Sequence, residues 1–423
     1  MSIRNGTLLA VAAAAVGFAA QAHAAQVGDV FVIALENHNF TQPASFNASI
    51  NPIFGDTAAA PYINSLLTPG NPNAAQTAYE TAYYQPGLNE HPSEPNYVWA
   101  EAGTNFNPTT PNAAGGGTST AGGPTSTTQG TINGTTITND NDPSAASGNI
   151  FPASFAANHL TGQLNAAGIP WKNYQEDFQY STSPLISASG TGGTANGHTV
   201  VANPYNGSTQ YNYAVKHNPM AFFADTATQN VEQMSQLQTD LTSNTVGKYN
   251  WITPDQYNDM HTALTGGFTY NGQHFTGDQA QIAQGDNFLS IVVPEIMASA
   301  AYQNNGAIII WNDETEGADD TTATSTEIVI SPLAKGNAFA SSVVTSHSSD
   351  VKTMEELFGL PLINNPIPTS EVFATGGFAT VQGANDLSDM FVPGAIPSAV
   401  PEPASLGLLV VGGLTLISRR RRA

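Results

Sequence analysis

The sequence predicts an α/β fold with a mostly parallel central sheet flanked by helices. Four short runs rich in apolar residues have the length of strands. They lie at residues 30–35, 249–252, 307–311 and 327–330. Continuous apolar runs are typical of strands that are buried on both faces, as in a parallel sheet. Segments with helical character lie between the runs, and this alternation is the pattern of α/β proteins.

Each main element is indicated by its own residues. The run at residues 30–35 is Val-Phe-Val-Ile-Ala-Leu. Residues 286–302 favour a helix, and we expect Asp286 to cap its N-terminus. The run at residues 307–311, Ala-Ile-Ile-Ile-Trp, follows directly. A second helix is expected at residues 349–358, where the apolar side chains fall on one face and a glycine follows.

The first 24 residues have the features of a cleaved secretory signal. Arg4 precedes an apolar stretch, and Ala-His-Ala at residues 22–24 offers a small-residue cleavage site. The apolar stretch is too short to be a membrane-spanning helix. We therefore expect export across the inner membrane, to the periplasm, the outer envelope or an extracellular matrix.

Residues 400–423 carry a second targeting pattern. Pro-Glu-Pro at residues 401–403 is followed by a short apolar run and by four arginines at residues 419–422. At about 1.5 Å per residue this run is shorter than the roughly 30 Å hydrocarbon core of a bilayer. The arginines should stay cytoplasmic. The segment resembles the PEP-CTERM sorting signal, which implies a membrane-inserted stage and processing by an exosortase.

The body between the two ends is acidic and contains no arginine. The chain has 10 lysines and arginines against 32 aspartates and glutamates, and its net charge is −22. All five arginines lie in the targeting segments, and there is no cysteine. A nucleic acid partner is not expected, because binding its backbone needs a basic face. A phosphate site here must obtain positive charge from metal ions, histidines, a lysine or a helix N-terminus rather than from arginine.

Residues 25–365 are long enough to form one catalytic α/β domain. Two stretches within it, at about 103–148 and 181–207, are dominated by Gly, Ser, Thr, Asn and Ala. Few of their residues could fill a core, so we expect surface insertions that are mobile or weakly β. Residues 366–399 are also lean in large side chains, and we expect them to link the domain to the tail.

Polar side chains follow three of the expected strands. They are Glu36, Asn37 and His38, then Asp255, Asp259 and His261, and then Asp313 and Glu314. Ligands of open parallel sheets bind outside the carboxyl ends of the strands, so these clusters should converge on one edge. One acidic residue after a strand is usually a loop residue or a helix cap, but three clusters together indicate a site.

The segment His-Pro-Ser-Glu-Pro-Asn-Tyr at residues 91–97 places Ser93 where a helix should begin. A serine in this position is most often an N-cap. The position also suits a nucleophile, because a helix N-terminus favours an alkoxide and a bound phosphate. A metal ion would further lower the pKa of the hydroxyl. The local sequence leaves both interpretations open.

Together these motifs resemble a phosphoesterase family that includes bacterial acid phosphatases and phospholipases C, within the alkaline-phosphatase-like superfamily. The resemblance covers most of residues 30–362 apart from the insertions. Its segments, in family order, are residues 32–40, 91–97, 164–176, 216–219, 253–261, 311–314, 331–332 and 346–360. The resemblance implies an alkaline-phosphatase-like fold and a hydrolase that acts on phosphate esters.

The resemblance also implies roles for individual residues. Ser93 would be the nucleophile that forms a phosphoserine, and Asn96 would donate to a phosphoryl oxygen. A divalent metal ion would bind beside Ser93. Its ligands would be Glu36, Asn37, Asp313 and Glu314.

Further candidates lie elsewhere in the matched segments. Asp259, His261 and His347 match positions that bind a second metal ion or contact phosphate and the leaving group. His91 is a candidate for either task. His217 also lies in a matched segment, but we expect it to cap or pack.

Two departures from the superfamily pattern bear on the metal. Asp313 and Glu314 stand where an acid-histidine pair is usual, so hard oxygen ligands favour Mg, Mn or Ca, although Zn is common in the superfamily. Asp259 and His261 are more closely spaced than the matching pair of two-zinc relatives. The sequence therefore implies a divalent metal cofactor and leaves one or two ions open.

Other functions are less consistent with these residues. A non-catalytic envelope or biofilm matrix protein could keep the fold, but it should have lost Ser93 or the metal ligands, and these are present. A sulfatase would need a cysteine or a Ser-x-Pro-x-Arg motif, and the chain has neither. We therefore expect an exported, metal-dependent phosphoesterase with a serine nucleophile. The sequence does not choose between an acid phosphatase and a phospholipase C.

Overall fold

The computed structural model describes residues 24–47, 49–85, 92–104, 130–132, 135–137, 142–143, 150–316, 322–365 and 380–397. His91, the tail at residues 400–423 and nearly all of the expected signal segment lie outside the described residues. Within the described ranges, no helix combines the length and the apolar character needed to cross a bilayer.

In the part of the chain that the structure describes, the strands form one large sheet and four two-stranded sheets. In chain order they are β1 (Val30–Leu35), β2 (Thr77–Glu80), β3 (Gly130–Ile132), β4 (Thr135–Ile137), β5 (Trp171–Gln175), β6 (Ala188–Thr191), β7 (Thr194–Ala195), β8 (His198–Thr199), β9 (Gln210–Tyr213), β10 (Val231–Gln233), β11 (Tyr249–Thr253), β12 (Phe268–Tyr270), β13 (Gln273–Phe275), β14 (Ala307–Asn312), β15 (Glu327–Ile330) and β16 (Phe339–Ser341).

The large sheet has eight strands in the order β10-β5-β11-β1-β14-β15-β2-β16. Strand β15 is antiparallel to its neighbours β14 and β2, and the other neighbouring pairs in this sheet are parallel. The expected α/β class with a mostly parallel sheet is therefore confirmed. The four apolar runs are all strands of this sheet, and they include its central members.

Helices cover both faces of the sheet. The α-helices are α1 (Pro61–Leu66), α2 (Ser93–Ala102), α3 (Leu160–Ala167), α4 (Met234–Ser243), α5 (Asp278–Met297), α6 (Ala300–Gln303) and α7 (His347–Phe358). Short 3₁₀ helices lie at Pro72–Gln76, Ala153–Asn158, Phe178–Tyr180, Val215–His217, Pro219–Phe222, Val381–Gly383 and Leu387–Met390.

The side chains of β1 alternate between two apolar cores. Phe31 and Ile33 belong to the core that α1, α4, α5 and α6 cover. Val30 and Val32 belong to the core that α2, α3 and α7 cover. Successive side chains of a strand point to opposite faces, so a strand buried on both sides must be apolar throughout.

The structure corrects the expectation for Asp286. Helix α5 begins at Asp278, so Asp286 lies inside the helix rather than at its N-terminus. Its carboxylate accepts from the backbone N–H groups of Tyr62 and Ile63, at 2.9 and 2.7 Å. Asp286 therefore satisfies free donors in the first turn of α1, which packs against α5.

Two lean stretches differ in how they pack. Most of residues 181–207 form turns and the short pairs β6–β9 and β7–β8, apart from the large sheet. Residues 380–397, which we expected to belong to a linker, pack against the domain instead. Leu387, Met390 and Phe391 are buried in the same core as α7. The packed body thus extends beyond residue 365.

Candidate active site

The central strands bring two polar clusters together. Strands β1 and β14 are parallel neighbours in register, with Leu35 opposite Asn312, so the residues after each strand adjoin. The backbone N–H of Asn37 donates to Asp313 Oδ1 at 3.1 Å. The side-chain amide of Asn37 donates to Glu314 Oε1 at 2.7 Å. The predicted convergence at the carboxyl edge therefore occurs for this pair of loops.

Helix α2 delivers Ser93 to the same edge. Pro92 occupies the N-cap position, so Ser93 is the first helical residue and not the cap. Its hydroxyl donates to Glu36 Oε2 at 2.8 Å, and the residue is 1% exposed. One turn later, the side-chain amide of Asn96 donates to Glu314 Oε2 at 2.9 Å. Ser93 thus lies at a helix N-terminus and in contact with a carboxylate.

Three buried carboxylates meet at this point: Glu36, Asp313 and Glu314. Burial, followed by the charge of Asp313, raises the pKa of Glu36 well above its usual range. Glu36 Oε1 and Asn37 Oδ1 are buried and make no hydrogen bond. Buried charges of one sign need protons or a counter-ion. These residues therefore fit a divalent cation, for which carboxylate and amide oxygens are suitable ligands.

His217 extends the site on the other side of Glu36. Its Nδ1 lies 3.0 Å from Asp259 Oδ2, within hydrogen-bonding distance. Its Nε2 lies 3.0 Å from Glu36 Oε1, but the two atoms do not have hydrogen-bond geometry. Burial, and then Lys216 and His261, lower the pKa of His217 well below its usual range, which favours the neutral imidazole. A neutral imidazole oriented by a carboxylate is a common arrangement for a metal ligand.

His261 lies close to His217, and Glu36, His217 and His261 offer ligand atoms within 4.8 Å of one another. The backbone N–H of His261 donates to Asp259 Oδ1 at 2.8 Å. Its Nε2 lies 3.4 Å from Lys216 Nζ, a contact that places a cation in this region. Burial, and then Lys216, lower the pKa of His261 to about 3.

Sequence reasoning missed the position of His217. The structure adds to the expectation that His217 caps or packs, because Nδ1 of the residue contacts Asp259 and its Nε2 faces Glu36. Its place in a matched segment was the available signal. The contact itself depends on the 3₁₀ turn Val215–His217 packing against α2, where Tyr97 stacks on the imidazole with ring centroids 5.1 Å apart.

His347 contacts the protein through both of its ring nitrogens. Its Nε2 donates to the backbone oxygen of Asp313 at 2.6 Å, and its Nδ1 accepts from Trp311 Nε1 at 3.1 Å. The hydroxyl of Tyr83 lies 2.6 Å from the same Nδ1. Both ring nitrogens are thus engaged by the protein, and the side chain is fully buried. His347 is placed to position Asp313, and its expected contact with a phosphate or a second metal ion stays a prediction.

A strained residue lies between two members of the site. Met260 has a φ of 83°, although it is not glycine. Such a backbone conformation is costly for a residue with a side chain and persists only where packing holds it. It lies between Asp259 and His261, whose side chains both take part in the cluster. His91, the remaining candidate, lies outside the described residues.

Comparisons with known proteins identify the family. The model of the Phosphoesterase family matches residues 71–361, which is more than half of the chain. No curated protein matches.

Three of the solved structures with some similarity to this chain are the following. A protein in the alkaline phosphatase superfamily from Vibrio parahaemolyticus is 10% identical, with a TM-score of 0.42 over 79% of this chain and 67% of that one. The lipoteichoic acid synthase LtaP from Listeria monocytogenes is 8% identical, with a TM-score of 0.41 over 85% and 77%. The phosphonate monoester hydrolase of Agrobacterium radiobacter is 10% identical, with a TM-score of 0.38 over 89% and 78%. The family assignment rests on the sequence match: the chain belongs to the Phosphoesterase family and is an ester hydrolase.

Proposed function

We propose that this protein is an exported, metal-dependent phosphoesterase that cleaves phosphate esters through Ser93. One observation carries the proposal: the Ser93 hydroxyl lies 2.8 Å from Glu36, inside a buried group of carboxylates at the start of a helix. A merely capping serine would bond to its own helix. This hydroxyl instead faces the ligand-type residues that follow β1 and β14.

The metal ligands we propose are Glu36, Asn37, Asp313 and Glu314, with His217 and His261 as nitrogen ligands on the far side of Glu36. When bound, a divalent ion would supply Lewis acidity at the phosphoryl group and lower the pKa of the serine hydroxyl. Two groups of potential ligands share Glu36, so one ion or two can be accommodated. The mixed oxygen and nitrogen donors suit Mn or Zn as well as Mg or Ca.

The residues of the chain suggest the order of proton transfers. Ser93 Oγ would bond to phosphorus while the bond from phosphorus to the alcohol oxygen breaks. The serine proton would pass to Glu36 Oε2, the acceptor it already contacts, and the departing alcohol oxygen would take a proton from water. The hydroxide left by that water would then attack the phosphorus atom of the phosphoserine. The bond from phosphorus to Oγ would break, and Glu36 would return the proton to Ser93.

Charge at the phosphoryl group must be balanced without arginine. Helix α2 begins at Ser93, and anions are favoured at the N-terminus of a helix because of its dipole. Lys216 provides a nearby fixed cation. Asn96 could turn its amide from Glu314 to a phosphoryl oxygen when substrate is present. This combination of a helix N-terminus, a lysine and a metal ion replaces the arginine fork that many phosphate sites use.

The substrate class is a phosphate ester, and we leave open whether a monoester or a diester is preferred. We further propose that the chain is exported by residues 1–24. Its tail at residues 400–423 would insert in the membrane before exosortase processing of the PEP-CTERM type. Both proposals rest on the sequence patterns of the ends.

The test is hydrolysis of p-nitrophenyl phosphate and of p-nitrophenyl phosphorylcholine by the full-length protein. EDTA-treated enzyme would be supplied separately with Mg, Mn, Ca or Zn. We expect metal-dependent turnover that Ser93→Ala lowers by at least about 10³-fold. Ser290→Ala is the matched control, because Ser290 lies on α5 and its hydroxyl donates to Asn287 O at 2.7 Å, away from the proposed ligands.

The preferred substrate would distinguish a phosphatase from a phospholipase C. Turnover that survives in Ser93→Ala would remove the serine from the mechanism. No turnover with any of the four metals, from folded protein, would contradict the proposal and favour a non-catalytic role in the envelope or matrix.

A further inference from the structure

A second group of potential metal ligands lies outside the catalytic cluster. We call it the outer cluster, and it consists of His38, Asp278 and Glu316. The three residues come from different parts of the fold: the loop after β1, the first turn of α5 and the loop after β14. None of them has a part in the proposed hydrolysis.

The ligand atoms of the outer cluster are already close together. His38 Nε2 lies 3.3 Å from Asp278 Oδ1 and 3.7 Å from Glu316 Oε2. All three atoms are buried, and none makes a hydrogen bond. The His38 side chain is 2% exposed, so its Nε2 is an unpartnered nitrogen in the interior. Buried polar atoms without partners are rare and require an explanation.

The surrounding residues turn these atoms toward one another. His38 Nδ1 lies 3.3 Å from the backbone oxygen of Glu36, a contact in which the ring N–H donates. When His38 is neutral, as a metal ligand must be, its lone pair is therefore on Nε2, the nitrogen that faces the two carboxylates. Asp278 Oδ2 accepts from the backbone N–H and the side-chain amide of Asn51, at 3.1 and 2.6 Å. Its other oxygen, Oδ1, is left to face His38.

The spacing of the donors matches that of metal ligands. Donors about 2.1 Å from a tetrahedral ion lie about 3.4 Å apart. The two contacts of His38 Nε2 bracket this value. One imidazole nitrogen and two carboxylate oxygens form a ligand set that binds Zn²⁺ well and Mn²⁺ less tightly. We propose that His38, Asp278 and Glu316 bind a divalent cation, with Zn²⁺ favoured, separately from the metal of the active site.

Such an ion would hold the active-site loops in place. Glu316 is two residues beyond Glu314, and its backbone N–H donates to Asn39 Oδ1 at 2.9 Å. His38 is two residues beyond Glu36. An ion in the outer cluster would therefore fix the loop after β14 to the loop after β1 and to α5. Binding only to the folded state would also stabilise the protein.

The test is Zn²⁺ binding to EDTA-treated, full-length protein, measured as bound equivalents after gel filtration and as a shift in Tm. We expect Glu316→Gln to lose one equivalent of zinc and most of the Tm increase that zinc produces. Glu295→Gln is the matched control, because Glu295 is a half-buried glutamate near the other end of α5. His38→Gln should behave as Glu316→Gln does.

A further variant separates this proposal from the proposed function. Asp313→Asn disturbs the active-site ligands and leaves the outer cluster intact. X-ray absorption of this variant should therefore still show bound zinc with one imidazole ligand. The double variant Asp313→Asn/Glu316→Gln should lose this ion. These results are expected even if the catalytic proposal fails.

Two outcomes would overturn the proposal. One is equal zinc binding by the wild type, Glu316→Gln and Glu295→Gln, which would mean that a proton on His38 satisfies the cluster. The other is a zinc environment with two imidazoles in Asp313→Asn, which would place the ion at His217 and His261. The Glu316 side chain is 31% exposed, so this variant carries the test even if His38→Gln fails to fold.

Discussion

Ser93 has its position because of three residues around it. Pro92 takes the N-cap position, which leaves the serine hydroxyl without a capping role. Glu36 accepts a hydrogen bond from the Ser93 hydroxyl at 2.8 Å, and Asn96 lies one turn after Ser93 on α2. An N-cap serine and a helix-starting nucleophile look alike in sequence, because both precede a helical pattern. The neighbour that accepts the hydroxyl is what separates them.

At the residue scale, His217 should contribute to metal affinity. We expect His217→Gln to raise the metal concentration needed for half-maximal activity by about 10-fold or more, because it removes the nitrogen that faces Glu36. The measurement is turnover as a function of Mn or Zn concentration. His274→Gln, at an exposed position in β13, is the control for the same substitution. An unchanged metal requirement in His217→Gln would show that His217 only packs against Tyr97.

At the element scale, α5 supports the segment that carries Asp259 and His261. Gly285 lies in this helix directly beneath Met260. A Cβ atom at position 285 would lie 2.4 Å from Met260 Cγ and 2.6 Å from Met260 Cε, which is closer than packed atoms approach. The Met260 side chain can therefore pack this closely against α5 because residue 285 has no side chain.

We predict that Gly285→Ala lowers kcat by roughly 10-fold and changes stability little. Alanine gains about 1 kcal/mol of helix propensity over glycine, which offsets part of the clash. The clash itself should displace Met260 and, with it, Asp259 and His261. The measurements are kcat and the urea midpoint of each variant. Adding Met260→Ala should restore part of kcat by making room. A kcat equal to that of the wild type in Gly285→Ala would contradict this coupling.

At the scale of the whole molecule, the protein buries several carboxyl groups away from the active site. Burial raises the pKa of Glu355 to about 8 and that of Asp286 to about 7. Both residues also accept backbone N–H groups, at positions 363 and 62–63. The chain has a net charge of −22, so it has few basic side chains that could neutralise these carboxylates. Their protonation is therefore coupled to folding.

We predict that the metal-free protein becomes less stable as pH rises from about 5 to about 8. A carboxyl group whose pKa is higher in the folded state binds more protons there than in the unfolded state, so its contribution is lost as pH rises through the folded pKa. Acids with lowered pKa, such as Asp278 at about 2, are already ionised in this range. The buried histidines with lowered pKa (His217, His261 and His347) act in the opposite sense below about pH 6.5. The carboxyl groups with raised pKa outnumber them, so the net effect is a loss of stability. Urea unfolding at several pH values, with EDTA present, measures the effect.

Glu355→Gln should flatten this pH dependence, because glutamine keeps the contact with Ile363 N–H and does not titrate. At about 1.4 kcal/mol per pKa unit, the difference between pH 5 and pH 8 should shrink by at most roughly 4 kcal/mol. Glu232→Gln, at a half-buried position in the edge strand β10, is the control. A wild-type slope of the opposite sign would contradict the argument.

Much of the fold could be predicted because the strands at the centre of the sheet are recognisable from their apolar sequences. The runs that became β1, β11, β14 and β15 are buried on both faces and hence largely apolar. Strand β5 was not expected, because Asn173 and Gln175 interrupt the pattern. Both are buried and hydrogen-bonded, to Asn218 and to Thr253. A strand that buries polar residues has no local signature of its burial.

The sequence by itself determined the class of fold, the acidic and arginine-free body, and the meeting of Glu36, Asn37, Asp313 and Glu314. These follow from local pattern, because parallel neighbours bring the residues after each strand to one edge. Only the tertiary structure decided that His217 lies between Asp259 and Glu36. It also decided that His347 forms hydrogen bonds with Trp311 and Asp313. The grouping of His38 with Asp278 and Glu316 has the same origin. These contacts join segments that are far apart in the chain. Their geometry is set by how helices and loops pack, and residue type and spacing carry no record of that packing.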